Sequence, residues 1–427
     1  MGGSSKAGLS PVDQGDLDPG LSVEAWLGRL AAGGEIGALL GPSRSEQIDR
    51  GYGHTLREIA QQPVTWTETA TRVVGRLSLI QAVLEDAGAA TAQGALVLTG
   101  SGSSLYAGEC LAPALQETLG MTVSAVAAGQ ILTHPRASVP PHGPFAVVSF
   151  ARSGNSPESR AVVDSLLEEP RACHLVITCN GQGTLATEYA SHPRVRTVVL
   201  DEKTNDQSLV MTSSFTNMVL AGALLGNARE PEAYSARARR IARGAAHVLQ
   251  NCGDALAAAA RTAFSSAVYL GSGCRLGAVH ETSLKMLEMN DGRIWTLPES
   301  YLGLRHGPMS AVREDSLVVA FLSSDPLVRA YEADLIRELD RKKLGARRVI
   351  VGASVPRELA PGPEDVVVDV AAAGVNADED LVLIDVVVGQ LLAFFRCLQE
   401  GLRPDSPSTG GVISRVVSRF EIHRRPS

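Results

Sequence analysis

The spacing of apolar residues along the 427-residue chain changes near residue 92. Before it, amphipathic runs follow single serines: VEAWLGRLAA after Ser22 and EQIDRGYGHTLREIA after Ser45. A serine ahead of a helical apolar stripe is an N-cap signal, so residues 21–92 are expected to be helical. After it, short apolar runs rich in β-branched residues alternate with helical patterns. One set is ALVLTG (95–100), FAVVSF (145–150), HLVITC (174–179) and RTVVL (196–200). A second is AVYLG (267–271), SLVVAFL (316–322), RRVIVG (347–352) and VVVDV (366–370). Continuous apolar strands separated by helices belong in a parallel sheet covered on both faces. Two such sets predict an α/β chain of two tandem doubly wound units behind an N-terminal helical segment.

The sets read as copies. Gly100-Ser101-Gly102 recurs as Gly271-Ser272-Gly273, and Val147-Val148-Ser149-Phe150 as Val318-Val319-Ala320-Phe321, both 171 residues apart. At the same offset Arg152-Ser153 falls on Ser323-Ser324. A shared offset in corresponding elements points to duplication. The expected layout is a disordered tail over 1–20, helices over 21–92 and a first unit over 93–230. A linker helix over 231–262, a second unit over 263–400 and a C-terminal tail over 401–427 complete it.

Composition narrows the function classes. A net charge of −7 argues against a nucleic-acid binder, because nothing broadly neutralises a phosphate backbone. The first twenty residues have no apolar core of a signal peptide, so a cytoplasmic protein is expected. Leu381–Leu398 is strongly apolar but holds Asp385, Gln390 and Arg396, and reads as a buried or interface helix rather than a membrane span. Six scattered cysteines (Cys110, Cys173, Cys179, Cys252, Cys274, Cys397) show no zinc spacing and read as reduced core thiols. No metal and no organic cofactor is expected.

In doubly wound folds, ligands sit at the carboxyl ends of the strands. Here those ends carry TGSGSSLYAG (99–108) and FARSGNSPES (150–159). Glycine lets backbone approach an anion, serine adds hydroxyl donors, and the following helix offers free N–H groups. Arg152 adds a fixed charge. Ser103, Ser104, Arg152, Ser153 and Ser156 are the candidate phosphate ligands. A dinucleotide site fits worse: the third glycine is missing and no acid ends the second strand.

The second copy carries HETSLKMLEM (280–289), which places Glu281, Lys285 and Glu288 at i, i+4 and i+7, on one helix face. Leu284 stands where a zinc-protease motif needs its second histidine. Downstream, His306 precedes Gly307-Pro308 in a turn. A carboxylate that reaches two adjacent carbons, with an imidazole to open a ring, suits sugar isomerisation, and a lysine would oppose enediol charge. The same residues also fit a surface Glu–Lys ion pair and a turn histidine.

These motifs resemble the SIS (sugar isomerase) family, and within it the galactosamine-6-phosphate deaminase/isomerase group, also called tagatose-6-phosphate ketose/aldose isomerases. The likeness runs through HTLREIAQQPVTW (54–66), SFARSGNSPES (149–159), TNDQSLVMTSSFT (204–216), ETSLKMLE (281–288), LGLRHGP (302–308) and FLSSDP (321–326). The resemblance implies Glu288 as proton-transfer base and His306 as ring opener across a dimer interface. It makes Lys285 and Glu281 catalytic partners and implies sugar contacts at Asn205, Asp206, Thr212 and Arg305. The implied partners are a sugar phosphate and a second copy of the chain, with no nucleic acid or membrane. The implied reaction converts galactosamine 6-phosphate to tagatose 6-phosphate and ammonia. A plain aldose–ketose isomerase or a non-catalytic sugar-phosphate sensor are the alternatives. Two features depart from the group or stay unplaced: Ser414 stands where its tail usually has asparagine, and Trp295 precedes the His306 loop, either narrowing the pocket or packing in the core.

Overall fold

The computed structural model describes residues 20–91, 93–345, 347–417 and 421–423. The tail expected to be disordered lies outside this set except for Gly20, as do Arg424–Ser427. Two parallel five-stranded sheets form the frame. The first contains β1 (Ala95–Gly100), β2 (Thr122–Ala127), β3 (Phe145–Ala151), β4 (Ala172–Thr178) and β5 (Val195–Val199). The second contains β6 (Ser266–Gly271), β7 (Trp295–Ser300), β8 (Leu317–Phe321), β9 (Arg347–Gly352) and β10 (Val366–Asp369). The orders are β2-β1-β3-β4-β5 and, read from the matching edge, β7-β6-β8-β9-β10. Both are the same doubly wound pattern, so the duplication seen in short motifs extends to topology.

All eight apolar runs form strands. The pattern missed β2 and β7, and both are edge strands left half exposed. An edge strand does not require a continuous apolar run, and TVSAVA and WTLPES lack one while the other edge strands β5 and β10 keep it; Pro298 is tolerated where no ladder partner lies beyond. Trp295 answers neither expectation: it is 48% exposed and opens β7 opposite Ser266. In a parallel ladder that is the end away from the ligand crevice, about 17 Å along the strand.

The N-terminal segment is helical as expected. Ser22 caps Val23–Leu30 by accepting from the Ala25 N–H. The second cap is Ser43 rather than Ser45; it accepts from the Glu46 N–H, so the helix starts earlier than the apolar stripe indicated. Residues 231–261 form helix Pro231–His247, a π turn Val248–Cys252 and helix Gly253–Arg261.

Helix Asp378–Gln399 is long and apolar enough to cross a membrane, but it is almost wholly buried within the fold. Three of its polar residues bond internally: Asp385 to Arg275, Gln390 to Gln62 and the Thr212 carbonyl, Arg396 to the carbonyls of Thr262 and Phe264. It is a core helix, and buried polar groups of this kind need such partners. All six cysteines are buried and unpaired.

Candidate active site between the two units

The cluster begins where each unit places the helix after its Gly-Ser-Gly loop. Gly102 and Gly273 adopt left-handed φ values of +56° and +57°, a geometry that favours glycine and turns each strand into its helix. The helices that follow, Ser103–Leu119 and Arg275–Met289, pack on each other. Gly277 permits the close approach, since a Cβ there would lie 2.5 Å from the Cys110 amide nitrogen. Beside it His280 Nδ1 and Glu109 Oε2 meet at 2.5 Å, and they are 171 residues apart. Equivalent positions of the two copies therefore touch across a local pseudo-twofold axis.

At the same contact, Lys285 Nζ of the second unit donates to Ser103 Oγ of the first at 3.1 Å. It also lies 2.5 Å from Glu288 and 3.4 Å from Glu281. Lys285 and Glu281 are fully buried, and Glu288 remains partly open. A surface ion pair is thereby excluded. Burial alone would depress Lys285, but the two carboxylates outweigh it and raise its pKa. Burial raises Glu281 to about 7, against the attraction of Lys285. The group holds one fixed cation between a partly exposed carboxylate and a buried carboxyl that titrates near neutrality, which is the equipment of proton transfer.

The two loops read as a cradle are adjacent: Ser101 Oγ donates to Glu158 at 3.3 Å. Ser103 and Ser104 are buried at the start of their helix. Ser153 Oγ accepts from the Asn155 N–H at 3.3 Å, and Ser156 is the N-cap residue of helix Pro157–Leu167, with no side-chain cap bond of its own. Arg152 is buried and turned toward backbone, donating to the carbonyls of Leu209 (3.0 Å), Ser208 (3.4 Å) and Arg415. Its burial lowers its pKa.

The 204–216 segment lies behind Arg152. Asp206 accepts from the N–H groups of Thr212 (2.7 Å) and Ser214 (2.8 Å) and so caps helix Ser213–Asn227. Asn205 Oδ1 and the Asp206 carbonyl receive Arg415 from the tail, at 3.0 and 2.8 Å. Thr212 gives its carbonyl to Gln390 at 3.1 Å. The 54–66 motif packs on this segment, through Glu58 to Gln207 and Ser208 and through Trp66 to Thr216. Ser414 is exposed and donates to the Val416 carbonyl at 3.0 Å.

His306 and Arg305 stand apart from this group. Arg305 pairs with Glu338 at 2.8 Å. The His306 imidazole is exposed, and its backbone N–H closes the turn onto Gly303 at 2.9 Å. The sequence reading missed Arg415 and the His280–Glu109 pair. The second carried a signal, since the repeat offset relates the two positions.

Known proteins share both fold and sequence. The SIS domain family matches residues 91–228, which places the first unit in the class of sugar-isomerase domains. An AgaS protein of Streptomyces coelicolor is 38% identical, over 90% of this chain and 98% of its own. The D-galactosamine-6-phosphate deaminase AgaS of Escherichia coli O157:H7 is 33% identical, over 86% of this chain and 95% of its own. The structure of tagatose-6-phosphate ketose/aldose isomerase from Escherichia coli superposes with a TM-score of 0.77 at 32% identity, over 84% of this chain and 96% of that one. The chain belongs to the AgaS family of SIS-domain proteins.

Proposed function

We propose that this protein is a deaminating aldose–ketose isomerase that converts galactosamine 6-phosphate to tagatose 6-phosphate and ammonia. The buried Ser103–Lys285–Glu281–Glu288 cluster, where the two units meet beside the serine-rich loops, carries the proposal. The loops at Ser103, Ser104, Ser153 and Ser156 hold the phosphate, and Arg152, committed to the carbonyls of Ser208, Leu209 and Arg415, braces the second loop from behind. The opened sugar presents a C1 aldehyde and a C2 amine. Glu288 removes the C2 proton and returns it to C1, leaving a C1 hydroxyl and a C2 iminium. Water adds to C2 and ammonia leaves, giving the ketose. Lys285 keeps the Glu288 carboxylate in place and opposes negative charge on the enediol-like intermediate.

Ring opening falls to His306 of a second copy. Within one chain this imidazole is exposed, and Leu287, Trp295 and Leu302 are exposed apolar residues of neighbouring segments. A homodimer that covers them brings a histidine to each cluster. We place the enzyme in the cytoplasm, where phosphorylated sugars are kept.

A non-deaminating isomerase is the second reading, favoured by the name of the superposing Escherichia coli structure. Ammonia release separates the two. Purified protein is expected to yield ammonia from galactosamine 6-phosphate and much less from glucosamine 6-phosphate. Glu288→Gln is expected to abolish turnover while sugar-phosphate binding persists. Sugar-phosphate binding without ammonia from either compound rejects the deaminase reading.

A further inference from the structure

In the second unit, the loops that correspond to the proposed phosphate cradle are bonded to carboxylates of the chain itself. Gly271-Ser272-Gly273 stands for Gly100-Ser101-Gly102, and Ser323-Ser324 for Arg152-Ser153. Asp378, the first residue of the core helix, accepts from the Ser324 N–H at 2.6 Å, from Ser324 Oγ at 2.9 Å and from Ser323 Oγ. Glu332 accepts from the Ser323 N–H at 2.7 Å. Loop N–H groups and hydroxyls of this kind are what a bound phosphate uses.

Arg275 occupies the position that Ser104 holds in the first unit. It is fully buried, bonds Asp385 at 2.7 and 2.5 Å, and donates to the carbonyls of Leu322 and Val351 at the ends of β8 and β9. Asp378 lies 4.0 Å from it. Asp325 caps the next helix, Pro326–Lys342, by accepting from the N–H groups of Leu327 and Val328. The first unit differs. Its corresponding helix Pro157–Leu167 has no side-chain cap bond. In the first unit Ser101 donates to Glu158 at 3.3 Å, but among the described residues no carboxylate accepts a hydrogen bond from Arg152–Ser156, the counterpart of the loop that Asp378 and Glu332 hold.

We propose that the second cradle is self-liganded. The Asp378 carboxylate takes the place that the substrate phosphate takes in the first unit, and Arg275 and Glu332 close the crevice around it. Each chain then binds a single sugar phosphate. Since Arg275 opens the helix that carries Glu281, Lys285 and Glu288, the sealed cradle also ties that helix to the core. The proposal rests on the reading of the first loops as a phosphate site.

The test uses the full chain and inorganic phosphate as probe, against chloride at matched ionic strength. Asp378→Gly removes the internal anion, and Asp378→Ser removes the charge while keeping a small hydrogen-bonding group. Either variant is expected to melt below the wild type in chloride, and to bind one equivalent of phosphate per chain more than the wild type by calorimetry. Its melting temperature should rise further with phosphate than that of the wild type. The wild type is expected to bind one sugar phosphate per chain. A wild type that binds two overturns the proposal, as do folded variants with no phosphate gain over it. Should both variants fail to fold, the wild-type stoichiometry decides. A wild type that binds no sugar phosphate refutes the first-unit reading, while the variants' gain over it still judges the second cradle.

Discussion

Lys285 is a fully buried cation with two carboxylates and a serine hydroxyl as neighbours. An unpaired charge at that depth would be costly, so the helix supplies its own counter-charges one turn before and one turn after. The balance sets a pH signature. Burial raises Glu281 to about 7 from the ordinary 4.5. A carboxyl raised in this way contributes its full stability below pH 4.5, and loses it as pH climbs through about 7. Glutamine does not ionise. Between about pH 4.5 and 8, stability is therefore expected to shift in favour of Glu281→Gln over the wild type by up to about 3 kcal/mol. Urea melts of both proteins at the two ends of this range check it, and a constant difference contradicts it. The residues of this cluster were legible because i, i+4, i+7 spacing is a local property of a helix. Ser103 as a neighbour of Lys285 was not, because 182 residues separate them.

Among the elements, the short helix Gly53–Ala60 shows how a local signal can be absent and its function still be filled. Its N-cap residue, Tyr52, offers no side-chain cap. Asp405 of the C-terminal tail does so instead, accepting from the N–H groups of His54 (3.1 Å) and Thr55 (2.7 Å) and from Thr55 Oγ1 (2.8 Å). Asp405→Ala is expected to cost about 1–2 kcal/mol, the usual worth of a cap, and to lower the melting temperature. The tail is fastened again where Arg152 and the 205–206 segment hold Arg415. Arg152 was singled out for its charge beside a serine loop. Its hold on three carbonyls was hidden in the sequence, because any segment can present a backbone carbonyl and only the fold decides which one arrives. Strand prediction divided on the same ground. Every strand buried on both faces writes itself as an apolar run, while edge strands need not: β5 and β10 carry one, β2 and β7 do not.

For the whole molecule, the proposed dimer makes a sharp prediction. Glu288→Gln and His306→Ala homodimers should each be inactive. Mixed under conditions that let subunits exchange, they should regain part of the activity, because a heterodimer assembles one site with both groups intact. No recovery from proteins shown to exchange would place His306 outside the partner's site. Duplication gave both units one topology, and their roles then parted: the first presents serine loops, the second a helix of acid and base.

The amino-acid sequence by itself determined the two α/β units, their repeat, the serine loops and the Glu281–Lys285–Glu288 face. These depend on spacing over a few residues, where backbone geometry is regular. Tertiary structure alone decided that the loops of one unit meet the helix of the other, that Arg152 turns toward the tail and that Asp378 accepts from the Ser323–Ser324 loop. Those contacts join residues far apart in the chain, and they form only when packing the two sheets and the core helix brings the partners within hydrogen-bonding reach.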